Sequence, residues 1–219
     1  MDGLPVIVLV AKVGQHHAME SDADKIIDLY QRPAEAWATD RGKSLFEAPW
    51  LDQFLALLTP GDAIVDIGCG VGEPIARYFI EKGYDVTGVD SSPALINICK
   101  GHFPGTKWSV ADMRTLSLNR SFDGILAWDS FFHLCPEDQR LMFPIFRRHA
   151  APNAALMFTS GPSYSVAVGS YRGEPLYHAS LDQAEYRSLL NDNGFNVVRH
   201  VVEDPKCGGH TIWLAQLVN

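Results

Sequence analysis

Hydrophobic residues recur along this chain at two alternating spacings, one typical of helices and the other of buried strands. From Leu45 to Leu58 they recur at helical spacing, and Thr59-Pro60-Gly61 ends the segment. Residues 63–67 are then a short apolar run, rich in β-branched side chains and ended by glycine, which indicates a buried parallel strand. Residues 74–82 return to helical spacing and end at Gly83. A strand followed by a helix is therefore the repeating unit.

The same alternation continues to the end of the chain. The pattern predicts strands over 85–89, 107–110, 123–128, 154–159, 195–202 and 210–217, and helices over 93–100, 137–150 and 181–193. Residues 160–175 are rich in Gly, Ser, Pro and Tyr and are interpreted as a loop. This order predicts an α/β fold of three layers: a mostly parallel sheet of about seven strands between helices, with an antiparallel C-terminal hairpin.

The first residues are interpreted as peripheral to that fold. Met19 opens a polar stretch typical of a natural start, so we expect residues 1–18 to be an extension and residues 19–219 to form one domain. Helices predicted within 21–58 would give that domain an N-terminal lid. The apolar run 4–13 is too short to span a bilayer and lacks the flanking features of a signal peptide.

Charge and cysteine usage narrow the expected partners. The 219 residues carry 18 basic and 26 acidic side chains, and the net charge of −8 argues against a nucleic-acid partner. Four scattered cysteines, without a Cys-x-x-Cys pair, disfavour a disulfide framework or a zinc site and are typical of a reducing cytoplasm. We therefore expect a cytoplasmic protein with no metal, nucleic-acid or membrane partner. The oligomeric state stays open.

The segment Asp66 to Gly72, with the sequence DIGCGVG, carries the strongest functional signal. It leaves a predicted strand and leads into a helix, where glycines let the backbone turn sharply and approach a ligand. Asp90 ends the next strand about 20 residues later, where a carboxylate can accept both hydroxyls of a ribose. The combination predicts a nucleoside-binding loop, although a tight turn without a ligand is the alternative.

Two acidic residues distinguish between nucleoside cofactors. The dinucleotide pattern would need glycine or alanine at position 73, where this chain has Glu73. A carboxylate there, with Asp66 before the loop, would oppose a pyrophosphate at the helix N-terminus. S-adenosylmethionine (SAM) carries an ammonium and a sulfonium but no phosphate, and acidic groups near its methionine end are compatible with it. The loop therefore favours SAM over NAD(P).

The motifs resemble those of a known family. DIGCGVGEP and VTGVDSSPALI between Ala63 and Lys100, VADM at 110–113, FDGILAWDSFFHL at 122–134 and NGF at 193–195 are similar to class I SAM-dependent methyltransferases of the small-molecule type. The resemblance covers roughly residues 45 to 219. It implies a Rossmann-like fold, SAM as methyl donor, S-adenosylhomocysteine (SAH) as product and a small-molecule methyl acceptor as the partner.

The resemblance also implies roles for individual residues. Gly68, Gly70 and Gly72 would shape the methionine pocket, Asp66 would orient the methionine end, and Asp90 would bind the ribose beside Ser91. Asp112 would accept from the adenine amino group, the Met113 amide would donate to the ring, and Trp128 would line the channel. From the residues alone, Met113 and Trp128 are equally compatible with core positions, and Asp112 with a helix cap.

The acceptor end is less well defined by the sequence. His133 follows the fourth strand, where a general base would lie, although a loop histidine bonded to backbone explains it as well. His178 and His210 come from late segments that could fold over the mouth of the site, although a structural role is favoured for both. Tyr30 and Trp37 come from the predicted N-terminal lid, where an aromatic face can contact a sulfonium, and ordinary helix packing explains them as well. Residues 160–177 are a second candidate lid.

Function is expected to be methyl transfer from SAM to a small molecule, with O, N, S or C as the acceptor atom. A SAM-binding protein without transferase activity is an alternative of a different class. An NAD(P)-dependent oxidoreductase is a further alternative, which Glu73 and Asp66 disfavour.

Overall fold

A computed structural model describes Gly42 and residues 44–218, and it contains nine strands in two sheets. The strands are β1 (Ala63–Ile67), β2 (Asp85–Asp90), β3 (Lys107–Val110), β4 (Phe122–Ala127), β5 (Ala150–Ser160), β6 (Ser165–Tyr171), β7 (Glu174–Ser180), β8 (Phe195–Asp204) and β9 (His210–Leu217). Seven of them form the main sheet in the order β3-β2-β1-β4-β5-β9-β8. Only β9 runs against its neighbours, so six strands are parallel.

Within the described residues, five α-helices cover the two faces of this sheet: α1 (Ala48–Leu55), α2 (Ile75–Glu81), α3 (Pro93–His102), α4 (Pro136–His149) and α5 (Gln183–Asp192). Successive residues of a strand point to opposite faces. In β1, Ile64 accordingly packs in the cluster that contains residues of α1, α2 and α3, whereas Val65 packs in the cluster with residues of α4 and α5. The predicted three-layer α/β fold, with its mostly parallel sheet and antiparallel C-terminal hairpin, is confirmed.

The boundaries of several elements differ from the predictions. The helix predicted over 45–58 is only α1, and α2 begins one residue after Pro74. Strand β5 begins four residues before the predicted start, at Ala150. These are end effects, because hydrophobic spacing locates the buried middle of an element better than its ends.

The loop prediction for residues 160–175 was wrong. Strands β6 and β7 pair antiparallel as a separate hairpin, with Arg172 and Gly173 as the two residues between them. Both have positive φ, 51° and 86°, as the common two-residue hairpin turns require. The abundance of Gly, Ser and Pro concealed a short alternating pattern around Val166 and Val168. A folded hairpin therefore takes the place of the second candidate lid.

Residues 1–41, with Tyr30, Trp37 and the predicted extension and lid, lie outside the described residues. Within the described part of the chain, no helix combines the length and apolar character needed to cross a membrane.

Candidate cofactor and acceptor site

The glycine loop is fixed to its neighbours by backbone contacts. Gly68 N and Cys69 N both donate to the carbonyl of Val89 at the end of β2, at 2.7 and 3.0 Å. Gly68 has φ +81°, and a Cβ there would lie 2.2 Å from Cβ of Ser130. The Ser130 hydroxyl donates to the Ile67 carbonyl at 2.7 Å. The chain after β4 therefore packs against the loop so closely that only glycine fits at position 68.

Asp90, at the end of β2, organises the same loop. Its Oδ2 accepts from Gly70 N at 3.0 Å and its Oδ1 accepts from Ser92 N at 2.9 Å. Burial raises the pKa of Asp90 to about 6, against the opposing effect of these backbone donors. A ligand that donates hydrogen bonds to the remaining lone pairs would favour the ionised carboxylate.

Asp66 lies behind the loop, within β1. Burial, and secondly the charge of Asp90, raise the pKa of Asp66 to about 7. Neighbouring carboxyl groups with restricted access to water have raised pKa values, and a cationic ligand group nearby would lower them. This end of the molecule is therefore electrostatically suited to a cation.

The glycine loop, Asp90 and the segment after β4 surround one cavity at the carboxyl ends of the parallel strands. The empty space between these segments, together with the open solvent at its mouth, is about 830 Å³. Its lining includes seven residues from the predicted site: Gly68, Gly70, Asp90, Ser91, Asp112, Met113 and His133. The carboxyl ends of parallel strands are where ligands bind in such sheets.

Two of the other predicted residues have packing roles. Gly72 has φ +75°, and a Cβ there would lie 2.9 Å from the ring of Trp108, so its absence makes room for that ring. Trp128 is buried and stacks on His210 with centroids 5.6 Å apart. Gly72, Trp128 and Asp66 are not among the residues that line the cavity.

Asp112 both lines the cavity and caps a short 3₁₀ helix, Met113–Thr115. Its Oδ1 accepts from Arg114 N at 2.9 Å, and its Oδ2 pairs with the Arg114 guanidinium at 2.7 Å. Burial alone would raise the pKa of Asp112, but the contacts with Arg114 hold it below its usual value. The cap considered from the sequence is therefore present, and the adenine contact stays a prediction.

His133 lies in the cavity wall with its tautomer defined by the β6–β7 hairpin. Its Nδ1 is 2.8 Å from the carbonyl of Tyr177, so Nδ1 carries the proton and Nε2 the lone pair. Burial, and secondly the neighbouring His178, lower the pKa of His133 to about 3, despite the opposing effect of the Tyr177 carbonyl. His133 is neutral at physiological pH, but so low a pKa makes it a weak base.

His178 and His210 approach the cavity from behind its wall. The ring centroid of His178, on β7, is 4.8 Å from that of His133. His210, at the start of β9, donates from Nε2 to Asp129 Oδ1 at 2.9 Å. Neither histidine is among the residues that line the cavity. The structure thus brings three predicted histidines to one region, with only His133 at the surface of the cavity.

Sequence reasoning missed Asp129 and Arg114 as individual site residues, although both line the cavity. Asp129 is the second residue after β4, and that position at the carboxyl end of a parallel strand was the available signal. No signal in the sequence indicated Arg114, because its role depends on pairing with Asp138 from α4, at 3.5 Å, as well as with Asp112.

The structure also changes the electrostatic argument about Glu73. Its carboxylate pairs with Arg77 at 2.5 Å, so part of the repulsion expected against a pyrophosphate is offset.

The strand order of the sheet distinguishes this fold from the dinucleotide-binding fold. The strand order common in dinucleotide-binding proteins ends with strands 4-5-6, whereas here the antiparallel β9 lies between β5 and β8.

Known proteins are similar to this chain in both sequence and fold. Residues 64–153 match a family described as a methyltransferase domain. Phosphoethanolamine N-methyltransferase 3 of Arabidopsis thaliana is 27% identical over 162 residues, which are 67% of this chain and 31% of that protein. Magnesium-protoporphyrin O-methyltransferase of Rhodobacter capsulatus is 31% identical over 127 residues, which are 55% of this chain and 54% of that protein. The chain thus spans about a third to about half the length of these relatives.

Solved structures extend the similarity across nearly the whole chain. The 1,6-didemethyltoxoflavin-N1-methyltransferase of Burkholderia thailandensis, with bound 1,6-didemethyltoxoflavin and SAH, is 19% identical. It aligns with a TM-score of 0.69 over 97% of this chain and 95% of its own. Magnesium protoporphyrin IX methyltransferase of Synechocystis PCC 6803, with bound SAM, is 18% identical with a TM-score of 0.69 over 94% and 100%. Residues 64–153 of the chain therefore match a methyltransferase domain, and the chain shares the fold of these two methyltransferases.

Proposed function

We propose that this chain transfers the methyl group of SAM to a small-molecule acceptor. The observation that carries the proposal is a pair of carboxyl groups, the buried Asp66 and the half-buried Asp90, behind and beside a glycine loop that lines a cavity. Their raised pKa values fit a ligand with cationic groups and no phosphate. Arg114 is the one cation among the cavity-lining residues that the structure describes, and it is engaged by Asp112 and Asp138. That charge pattern suits SAM better than a dinucleotide.

In the proposed complex, the methionine end of SAM lies against Gly68 and Gly70, near Asp66. Asp90 accepts hydrogen bonds from the ribose hydroxyls beside Ser91. The adenine lies toward Asp112 and Met113, where the amino group competes with Arg114 for the Asp112 carboxylate.

Bound SAM supplies an electrophilic methyl group on a sulfonium, with SAH as the product. The chain's own residues have to orient an acceptor and exclude water, and positioning of this kind supplies much of the rate advantage of such enzymes. His133 presents a neutral ring to the cavity in one tautomer. We assign it to acceptor positioning, with at most a small contribution as a base, because its pKa is about 3.

Isothermal titration with SAM, SAH and NAD tests the proposal directly. SAM and SAH should bind and NAD should not. Incubation with methyl-labelled SAM and a panel of small acceptors should then yield labelled product and SAH. NAD binding without a response to SAM would contradict the proposal. SAM binding without transfer to any acceptor would favour a SAM-binding protein instead.

The relatives do not determine the acceptor. Their names indicate phosphoethanolamine, magnesium protoporphyrin and a toxoflavin precursor, which differ in size, charge and acceptor atom. The cytoplasmic location, the single domain over 19–219 and the lid that carries Tyr30 and Trp37 remain parts of this proposal.

A further inference from the structure

One charged pair in the cavity wall has no role in the cofactor assignments. Asp129 is the second residue after β4, and its side chain lines the cavity beyond the glycine loop. Its φ of +49° lies in the left-handed region. Residues other than glycine are uncommon there, and those that occur are concentrated at functional sites.

Two partners hold Asp129 in this conformation. Its backbone N donates to the hydroxyl of Thr159, near the end of β5, at 2.9 Å. Its Oδ1 accepts from His210 Nε2, at the start of β9, at 2.9 Å. The carboxylate is therefore fixed by neighbouring strand ends of the main sheet.

His210 is held in its charged form by acceptors on both sides of the ring. Nδ1 is 2.7 Å from the carbonyl of Cys207, and Nε2 faces Asp129, so both nitrogens donate only when the ring is protonated. Burial alone would lower the pKa of His210, but Asp129, the Cys207 carbonyl and the nearby charge of Glu47 raise it above its usual value. His210 thus supports Asp129 from behind, and the contact between them favours the protonated ring.

We propose that Asp129 binds the acceptor through an N–H or O–H group, and that the acceptor is a cationic or uncharged hydrogen-bond donor rather than a carboxylate or phosphate. This inference rests on the proposed methyl transfer and specifies the acceptor for it. A carboxylate has about four lone-pair positions, so Asp129 can accept several hydrogen bonds, as its Oδ1 does from His210 Nε2 at 2.9 Å and from Thr159 Oγ1 at 3.4 Å. In an uncharged amine or a hydroxyl, the hydrogen bond would turn the lone pair of that group toward the methyl carbon. An ammonium has no lone pair, so it would first lose a proton to water and then accept the methyl group.

The charge balance of the cavity supports this choice. Four carboxyl groups line the described part of the cavity, those of Asp90, Asp112, Asp129 and Asp138, against the single guanidinium of Arg114. Arg114 already pairs with two of them. The Asp129 carboxylate lies on the cavity side of its contact with His210, so it would repel an anionic group placed against it and attract an ammonium.

In the transfer step, the acceptor's lone pair forms the bond to the methyl carbon while the bond from carbon to sulfur breaks, and its electrons remain on sulfur. The N–H or O–H proton of the acceptor then leaves to water. Asp129 touches the acceptor, whereas His210 is a positioning residue that acts through Asp129.

Binding of three matched probes to the SAH-saturated protein tests the inference without a known acceptor. Phenethylamine, phenethyl alcohol and phenylacetate share one ring and differ in charge, and ligand-observed NMR measures their affinities. We expect the amine to bind most tightly and the carboxylate most weakly, by about tenfold, because charge-assisted hydrogen bonds are roughly twice as strong as neutral ones.

Matched variants test whether Asp129 and His210 cause that preference for the amine. Asp129→Asn should reduce amine binding about tenfold and leave the alcohol nearly unchanged, because the amide keeps an acceptor oxygen and loses the charge. His210→Ala should lose the preference too, and His210→Gln, which keeps a donor, should restore most of it. Asp85→Asn, at the opposite end of the sheet, is the control and should keep the wild-type order.

Two results would overturn the inference: a wild-type preference for phenylacetate, or an amine preference that survives in Asp129→Asn. Binding of none of the three probes to the SAH-loaded protein would overturn it as well. Failure of SAH or SAM to bind at all would instead contradict the proposed function, so the two failures are distinguishable.

Discussion

The two ends of the cavity are built in different ways. The glycine-loop end consists of residues 66–72 with Asp90 and Ser91, which come from adjacent parallel strands within one short stretch of chain. The acceptor end consists of Asp129 and His133, and its support comes from β5, the β6–β7 hairpin and β9. The first end is a local motif, whereas the second depends on contacts between distant segments. We therefore expect changes at the first end to affect SAM affinity and changes at the second to affect the acceptor.

The largest effect is expected at Gly68. Gly68→Ala would place a Cβ 2.2 Å from Ser130, so the loop has to move, and a displacement of about 1 Å can cost about a hundredfold. SAM affinity by titration calorimetry should fall by about that factor. Gly83→Ala is the control, because Gly83 also has positive φ, +87°, but has nothing within 4 Å of a Cβ. Equal losses in both variants would mean that backbone strain, rather than the contact with Ser130, limits the loop.

Asp90→Ala should cause the next largest loss of SAM affinity. The variant removes the proposed ribose contact and the acceptor for Gly70 N, so SAM should bind about 2 kcal/mol more weakly, or about thirtyfold. Calorimetry measures the loss, and thermal unfolding separates it from instability. Asp85→Ala, at the other end of the same strand, should bind SAM normally. Unchanged affinity in Asp90→Ala would remove the ribose assignment.

The effect of pH on SAM affinity should be smaller than the effects of these two substitutions, and the affinity should rise with pH. Asp66 has a raised pKa of about 7 in the ligand-free protein, and cationic SAM favours its ionised form, so binding releases a proton below that pH. Asp66 is then about half ionised at pH 7 and about a tenth at pH 6, so affinity should rise about fivefold between them. Calorimetry in buffers of different ionisation enthalpy detects the proton, and Asp66→Asn should flatten the profile. A flat wild-type profile without proton release would contradict the coupling.

The smallest effect is expected from His133→Asn. A typical general base contributes at least about a hundredfold, but a pKa of about 3 leaves mainly a positioning role, for which we expect about a threefold loss of turnover. SAM affinity should change little, which distinguishes the acceptor end from the glycine-loop end. His102→Asn, on the exposed end of α3, is the control. A loss of a hundredfold or more would show that His133 is a true base.

Sequence reasoning predicted the glycine-loop end and the sheet much better than the acceptor end. The positions of Gly68, Gly70 and Asp90 follow from one strand, one turn and the next strand, which hydrophobic spacing locates well. The pairing of Asp129 with His210 spans 81 positions, 129 to 210, and depends on β9 lying beside β5. No local pattern contains that information. The hairpin was missed for a related reason, because its residues resemble a loop in composition while their partners lie across a turn.

The β6–β7 hairpin has a consequence for which positions of this chain can change in sequence. It forms its own two-stranded sheet between β5 and α5, and the strand order of the main sheet does not include it. Two of its main-chain oxygens, those of Tyr177 and Ala179, contact His133 and Gln139, and the ring of His178 packs against that of His133. Main-chain contacts persist when side chains are exchanged. The hairpin can therefore change in sequence at positions other than His178 while its main chain continues to hold His133 and Gln139 in place.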